Sequence, residues 1–231
     1  MVKEYYDNKK KILTLPCDFN DELKNVPIET EIINFIDDEA IYLSRFNQPI
    51  KNLPQNIKKI NFGWYFNQPV DNLPKTMTEL KYGFKFNQPV DNLPINLTHL
   101  TFNTHFNQPL DKLPKNLLNL AFSTISNFNQ PLDNLPKNLY YLKIGIKFNN
   151  KIIIPDSVKE ICLLSNNILL NNLPNNIEIL TINFDHIVNG SNIKIDNLPI
   201  TLKKIIIKRE EYKKYIIKIP YETVIIIDNF L

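Results

Sequence analysis

The chain has 231 residues, of which 43% are hydrophobic and 22% charged. That length allows a sizeable core, and that composition excludes a disordered chain. The formal net charge of +3 is too small and too dispersed to point to a nucleic-acid partner.

The opening residues, MVKEYYDNKKK, lack the apolar core that a signal peptide needs. No apolar run approaches the ~18 residues of a membrane span. The expectation is a soluble intracellular protein, in the cytoplasm, with no membrane partner. Cys17 and Cys162 do not make a disulfide framework. In that setting the Asn-x-Ser/Thr triplets at Asn96 and Asn189 are chance matches in an asparagine-rich chain. Residues 1–18 are expected to form an N-terminal cap, with Leu13, Leu15 and Phe19 turned inward. Residues 19–231 are expected to form a solenoid.

The solenoid expectation comes from a repeated phrase. FNQPVDNLP begins at Phe66 and again at Phe86, with near copies at Phe46, Phe106 and Phe128. Aligned on the Leu-Pro step, the units run through Pro27, Pro54, Pro74, Pro94, Pro114, Pro136, Pro155, Pro174, Pro199 and Pro220. Of the 16 prolines only Pro16 falls outside this step or FNQP. Proline fixes φ and removes a donor, so it marks the parts of each unit that are not strand. After each step the apolar residues hold phase, as at Leu97, Leu100 and Phe102, or at Leu117, Leu120 and Phe122. The terminal alternation predicts a short strand with one face buried. Between strands there is no amphipathic stretch of ~10 residues for a crossover helix. A short strand and a tight return every ~20 residues describe a right-handed, mainly β, leucine-rich-repeat-like solenoid of about ten coils with a parallel sheet.

Phase also assigns the core. Phe46, Phe66, Phe86, Phe106, Phe128 and Phe148 should stack as one internal column, with Ile50, Val70, Val90, Leu110, Leu132 and Ile152 as a second. The adjacent asparagines, Asn47 through Asn149, should satisfy backbone groups and one another along the stack. Asp71, Asp91, Asp111 and Asp133 share another phase. A row of carboxylates could hold calcium, but an aspartate accepting a turn N–H is the simpler expectation. The histidines, His99, His105 and His186, have no partners at metal-ligand spacing. No phosphate loop or nucleophile elbow occurs. No metal and no cofactor are expected. The basic stretch from Lys203 to Lys218 also contains Glu210 and Glu211, so a solvated face is expected there.

FNQPVDNLPKTMTELKYG and its siblings resemble the FNIP repeat, a leucine-rich-repeat relative abundant in social amoebae and mimivirus-like giant viruses. The resemblance is strong over residues 46–148 and carried by phase alone over 19–45 and 149–231. It implies a solenoid and a protein-interaction role. Several viral relatives carry an F-box ahead of the repeats and so resemble substrate receptors of ubiquitin ligases. About 18 residues precede the first unit here, too few for such a domain, so a ligase role would need a separate adaptor.

The candidate binding surface is the outward face of the strands. One column is Lys59, Glu79, His99, Asn119, Tyr141 and Glu160, and the next is Asn61, Lys81, Thr101, Ala121, Lys143 and Cys162. These positions vary over a fixed frame, as repeat binders vary theirs. The expected function is a non-catalytic scaffold that recognises a host or viral protein through this face. A ligase substrate-recognition subunit is the alternative. A hydrolytic enzyme would need a convergent acid, base or nucleophile cluster, which the sequence does not show. The β-branched run Val224 to Ile227 predicts weak self-association through the C-terminal coil.

Overall fold

A computed structural model describes residues 2–37, 43–164, 173–183 and 194–229. Within them lies one 12-stranded sheet whose strands are ordered as in sequence. The strands are β1 (Tyr6–Asp7), β2 (Ile12–Leu15), β3 (Ile32–Phe35), β4 (Lys59–Asn61), β5 (Glu79–Lys81) and β6 (His99–Phe102). They continue as β7 (Asn119–Phe122), β8 (Tyr141–Ile144), β9 (Glu160–Leu163), β10 (Ile179–Ile182), β11 (Lys204–Ile207) and β12 (Val224–Ile227). From β2 onward every pairing is parallel and in repeat register, so Leu80 lies beside Leu100 and Leu100 beside Leu120. The fold is the leucine-rich-repeat-like solenoid of about ten turns that the periodicity predicts.

Local sequence explains each coil. Strands are three or four residues long and mostly alternate between half-exposed and buried side chains. The proline of each Leu-Pro step then accepts a hydrogen bond from the N–H three residues on, as Pro94 does from Leu97 and Pro114 from Leu117, both at 3.1 Å. This is a tight turn in which proline, having no donor, loses nothing.

The core contains two columns of rings where the phase analysis identified one. Phe46, Phe66, Phe86, Phe106, Phe128 and Phe148 are buried and stacked, with neighbouring centroids 5.9–6.2 Å apart. Opposite them stand the strand residues Phe35, Phe62, Tyr82, Phe102 and Phe122. Each faces the FNQP ring of its own coil at 3.7–4.3 Å. Ile50, Val70, Val90, Leu110 and Leu132 form the buried aliphatic column beside them.

Ring spacing also reports curvature. Equivalent residues on neighbouring strands of a sheet lie ~4.8 Å apart, whereas equivalent rings behind the sheet lie 5.9–6.2 Å apart. The coils therefore fan out away from the sheet, and the solenoid bends with its sheet on the inner side.

The asparagines form a polar ladder. The Oδ1 of Asn47 accepts the backbone N–H of Asn67, and the same bond joins Asn67 to Asn87, Asn87 to Asn107 and Asn107 to Asn129, each at 2.9 Å. The following glutamine amide donates to the same oxygen, as Gln108 Nε2 does to Asn87 Oδ1 at 3.2 Å. Where no strand partner exists, this side chain takes the place of a sheet carbonyl. The ladder starts one coil before the first FNQP: Asn20 Oδ1 accepts from Asn47 N at 2.8 Å, and Phe19 stacks on Phe46 at 6.1 Å.

The aspartates behave differently from the expectation. Asp71 Oδ1 accepts from Asn92 Nδ2 at 3.0 Å, Asp91 lies 3.9 Å from the Lys112 ammonium, and Asp133 lies 3.2 Å from that of Lys151. A side chain of the next coil reaches back to each of these three carboxylates, from one position further on at Asn92 and Lys112 and from two positions earlier at Lys151, in place of a turn N–H. Repulsion along the column is relieved by these side chains.

At the N-terminus, Leu13 and Leu15 are fully buried in β2, and Phe19 packs against the core. β1 pairs antiparallel with β2, and Val2 is buried beneath it. At the other end, β12 pairs only with β11 among the described residues, and Val224 and Ile226 remain exposed. Cys17 and Cys162 are both free thiols.

Two substitutions test this frame. Phe86→Ala removes a ring from the FNQP column and the partner of Tyr82 in the other, and should cost about 3–5 kcal/mol, while exposed Lys81→Ala should cost under about 0.5 kcal/mol. Denaturant unfolding of the two variants checks the phase. Asn87→Ala should cost about 1–3 kcal/mol, because the Asn107 N–H and Gln108 amide lose their acceptor. Asn87→Asp keeps an acceptor oxygen and should recover much of that loss. Equal unfolding midpoints for the two Asn87 variants would show that the ladder contributes nothing.

Candidate interaction face

Strand register brings the sequence-predicted positions together as two continuous columns. Lys59 lies beside Glu79, Glu79 beside His99, His99 beside Asn119, Asn119 beside Tyr141, and Tyr141 beside Glu160. Asn61, Lys81, Thr101, Ala121, Lys143 and Cys162 form the parallel column two residues on. Lys81 and His99 are exposed and the other residues are half-buried, except for Cys162, which is buried.

The two ends of this face differ. At the N-terminal end the side chains are polar and pair across coils: Lys59 lies 2.8 Å from Glu79, and Asn61 Nδ2 donates to Asn34 Oδ1 at 2.7 Å. The His99 ring nitrogen Nδ1 lies 2.9 Å from Thr98 Oγ1. Toward the C-terminal end the same columns continue through Ile179, Lys204 and Val224, and through Thr181, Ile206 and Ile226. Burial pushes the Tyr141 phenol up to about 12 and the Cys162 thiol up to about 11. Neither group is ionised at neutral pH, so beyond Glu160 the charge on these columns is that of Lys204 among mostly apolar side chains. Sequence reasoning carried the columns to Glu160 and Cys162 and missed this largely apolar end. Its signal was present in the outward phase of EILTI, KIII and VIII.

His105 leans on Phe84, and its Nδ1 is buried without a hydrogen-bond partner. His186 and Asn189 lie outside the described residues. Among the described residues no group of three or more His, Cys, Asp or Glu side chains could hold a metal ion. No helix among them is long and apolar enough to cross a membrane.

A shallow groove of about 670 Å³ follows the N-terminal edge of the sheet, lined by Lys11, Glu31, Lys58, Thr78 and Asn96 among others. Its charges are paired: Glu31 bridges Lys11 at 3.0 Å and Lys58 at 2.7 Å. The same device recurs where Glu178 bridges Lys203 at 2.6 Å and Lys159 at 4.0 Å. Below this edge runs a second ladder, which sequence reasoning also missed. The residue two after most Leu-Pro prolines donates to a carbonyl of the preceding coil, as do Asn56, Asn96, Asn116, Ser157 and Thr201 at 2.7–3.2 Å.

The bridging glutamates give the fold a pH dependence. Hydrogen bonds from Lys58 and then Lys11 hold the Glu31 carboxyl below its ordinary value of 4.5, and that from Lys203 does the same for Glu178. A depressed folded-state value contributes stability above pH 4.5 that is lost as pH falls through the folded value. Thermal melts should therefore show stability declining below about pH 4.5. Glu31→Gln with Glu178→Gln should lower the melting temperature at neutral pH and flatten that acid limb. Both groups are solvent-exposed, so the effect should shrink in high salt.

The family model described as FNIP Repeat matches residues 46–85, 86–124 and 128–164, together half of the chain. No curated protein matches the sequence. Among solved structures, CroV588, described as a novel circular LRR protein and stemming from a giant virus, is 30% identical with a TM-score of 0.69. The similarity covers 86% of this chain and 33% of that one, so this chain spans about a third of the length of that relative. YopM from Yersinia enterocolitica is 16% identical over 89% of this chain and 48% of its own, with a TM-score of 0.35. That superposition is too loose to carry an argument. Three family matches in register, on coils whose Phe, Asn and Gln form the stack and its ladder, place the chain in the FNIP-repeat family.

Proposed function

We propose that the chain is a non-catalytic interaction scaffold that recognises a partner protein through the strand face. The observation that carries this reading is the two-column face itself: variable side chains held in fixed register on the inner side of a curved sheet. FNIP and leucine-rich repeats are typically interaction modules, and no catalytic family is among the matches. The polar pairs near Lys59 and Glu79 and the apolar end near Ile179 and Ile206 supply two chemistries on one surface. The apolar end would provide most of the burial, and the polar end would fix register.

Charge reversal provides the test. Lys81→Glu with Lys143→Glu should abolish capture of a partner by the intact protein from cells of its source, read by quantitative mass spectrometry. Lys112→Glu, on the outer turns, should leave that capture unchanged. A partner retained by the first variant and lost by the second would move the binding surface off the strand face.

A further inference from the structure

After each strand the chain turns before entering FNQP, and successive turns stack along one flank of the solenoid. Trp64 and Phe84 lie ring on ring in consecutive turns, at 3.9 Å and 7°. His105 of the next turn meets Phe84 at 4.5 Å, tilted by 58°. These rings are half-buried and lie outside the two core columns. The residue after Trp64, Tyr65, is 44% exposed, and Ile125 further along is 49% exposed. Lys85 holds its ammonium 5.5 Å from the Phe84 ring centre.

Charge is one-sided on this flank. The turn-and-FNQP segments 43–50, 63–70, 83–90, 103–110, 123–132 and 145–152 contain Arg45, Lys85, Lys147 and Lys151 and no Asp or Glu. Lys151 is paired with Asp133 at the next turn. Lys147 donates to Asn127 Oδ1 at 2.6 Å, a neutral acceptor. Besides Asp133, Asp37 touches the strip at its N-terminal end, in the segment after β3 whose sequence also carries Asp38 and Glu39; its Oδ1 accepts the backbone N–H groups of Ser44 and Trp64. Glutamates neutralise the lysines of the strand face and sheet edge. Here none does among the described residues, although the whole chain carries 24 acidic residues.

We propose that this flank is a docking surface for an acidic, extended segment of a partner protein. Apolar side chains of that segment lie against Trp64, Phe84 and Ile125, and its carboxylates face Lys85 and Lys147. These two lysines stand three coils apart, roughly 14 Å at the usual strand spacing, which about four extended residues span. A nucleic acid is a poorer occupant. Each strand of a duplex presents a phosphate every ~3.4 Å of helix axis, and cations two or three coils apart would leave most phosphates unpaired. The flank is separate from the strand face, so success or failure of the strand-face reading decides nothing here.

Trp64 is the only tryptophan in the chain, so its emission reports on this flank alone. The full chain is titrated with a dodecapeptide of alternating Glu and Leu, and with its Lys–Leu counterpart. A saturable change in emission is expected with the first peptide and none with the second. The affinity should fall about tenfold in Lys85→Glu with Lys147→Glu, weaken with added salt, and stay unchanged in Lys112→Ala. Both lysines are exposed, so the melting temperature should match that of the parent and exclude misfolding as the cause. No emission change, equal responses to the two peptides, or undiminished affinity in the charge-reversed variant would each overturn the proposal. A single-stranded oligothymidylate that binds more tightly than the Glu–Leu peptide, with the same dependence on Lys85 and Lys147, would overturn the peptide assignment in favour of nucleic acid.

Discussion

Contact between two aromatic rings inside each coil from Phe35 to Phe128 is the constraint from which the rest of the molecule follows. The strand-side ring and the FNQP ring of one coil meet face to face at 3.7–4.3 Å, so the chain must return beneath its own strand. From Phe62 to Phe106 the two rings are four residues apart in each coil, and the Leu-Pro steps repeat every 20 residues. Longer connections before Phe46 and Phe128 stretch the step to 27 and 22 residues and keep the ring pair. Beyond Phe148 the strand positions are aliphatic, as at Leu163, Ile182 and Ile207, and the steps vary between 19 and 25 residues. The ring pair fixes where the return packs, and the connection length adapts to it.

The close stack imposes two further demands on the chain. Backbone groups outside the strands must find partners at each coil-to-coil step, and the Asn–Gln pair and the donor two after most Leu-Pro prolines supply them. The turns after the strands must also be thin. A Cβ on Gly83 would run into the Gly63 carbonyl oxygen, so glycine is required by close approach there. Tyr82 shows the tolerance of the stack. It replaces the phenylalanine of its neighbours, its hydroxyl has no hydrogen-bond partner, and burial raises its pKa well above the ordinary value. Such a buried hydroxyl costs about 1–3 kcal/mol, and the ring contacts with Phe86 and Phe102 offset it.

Those demands decide what could be read from the residues alone. The Phe46–Phe148 column was legible because identity and period coincide, and the parallel register then followed from phase. The first coil was harder. Phe19 and Asn20 hold the same places as Phe46 and Asn47, but a step of 27 residues separates the units and Asp21 stands where glutamine is usual. The edge ladder was hidden for a chemical reason. A hydroxyl or an amide can donate to the same carbonyl, so Asn56, Thr76, Asn96, Ser157 and Thr201 share a role and no common letter. The aspartate column misled because a turn N–H and a side chain from the next coil look alike in one dimension.

The same logic locates function away from the conserved phrase. Much of Phe-Asn-Gln is already engaged in stacking or in the ladder: the ring is buried, Asn Oδ1 accepts two donors, and the Gln amide nitrogen is one of them. A partner can be recognised only by positions that the stack leaves unconstrained. Two sets of such positions exist in each described FNQP coil, the outward residues of the strand and the turn that follows it. On the strand face the substitutions alternate in charge and give way to isoleucine, a pattern suited to a folded surface with both polar and apolar patches. In the turns that follow β4 to β8 they concentrate rings and lysines and admit no acid, a pattern suited to a narrower and negatively charged segment. Two unlike surfaces on one rigid frame can engage one partner at two points, and the second contact then forms at the effective concentration set by the first.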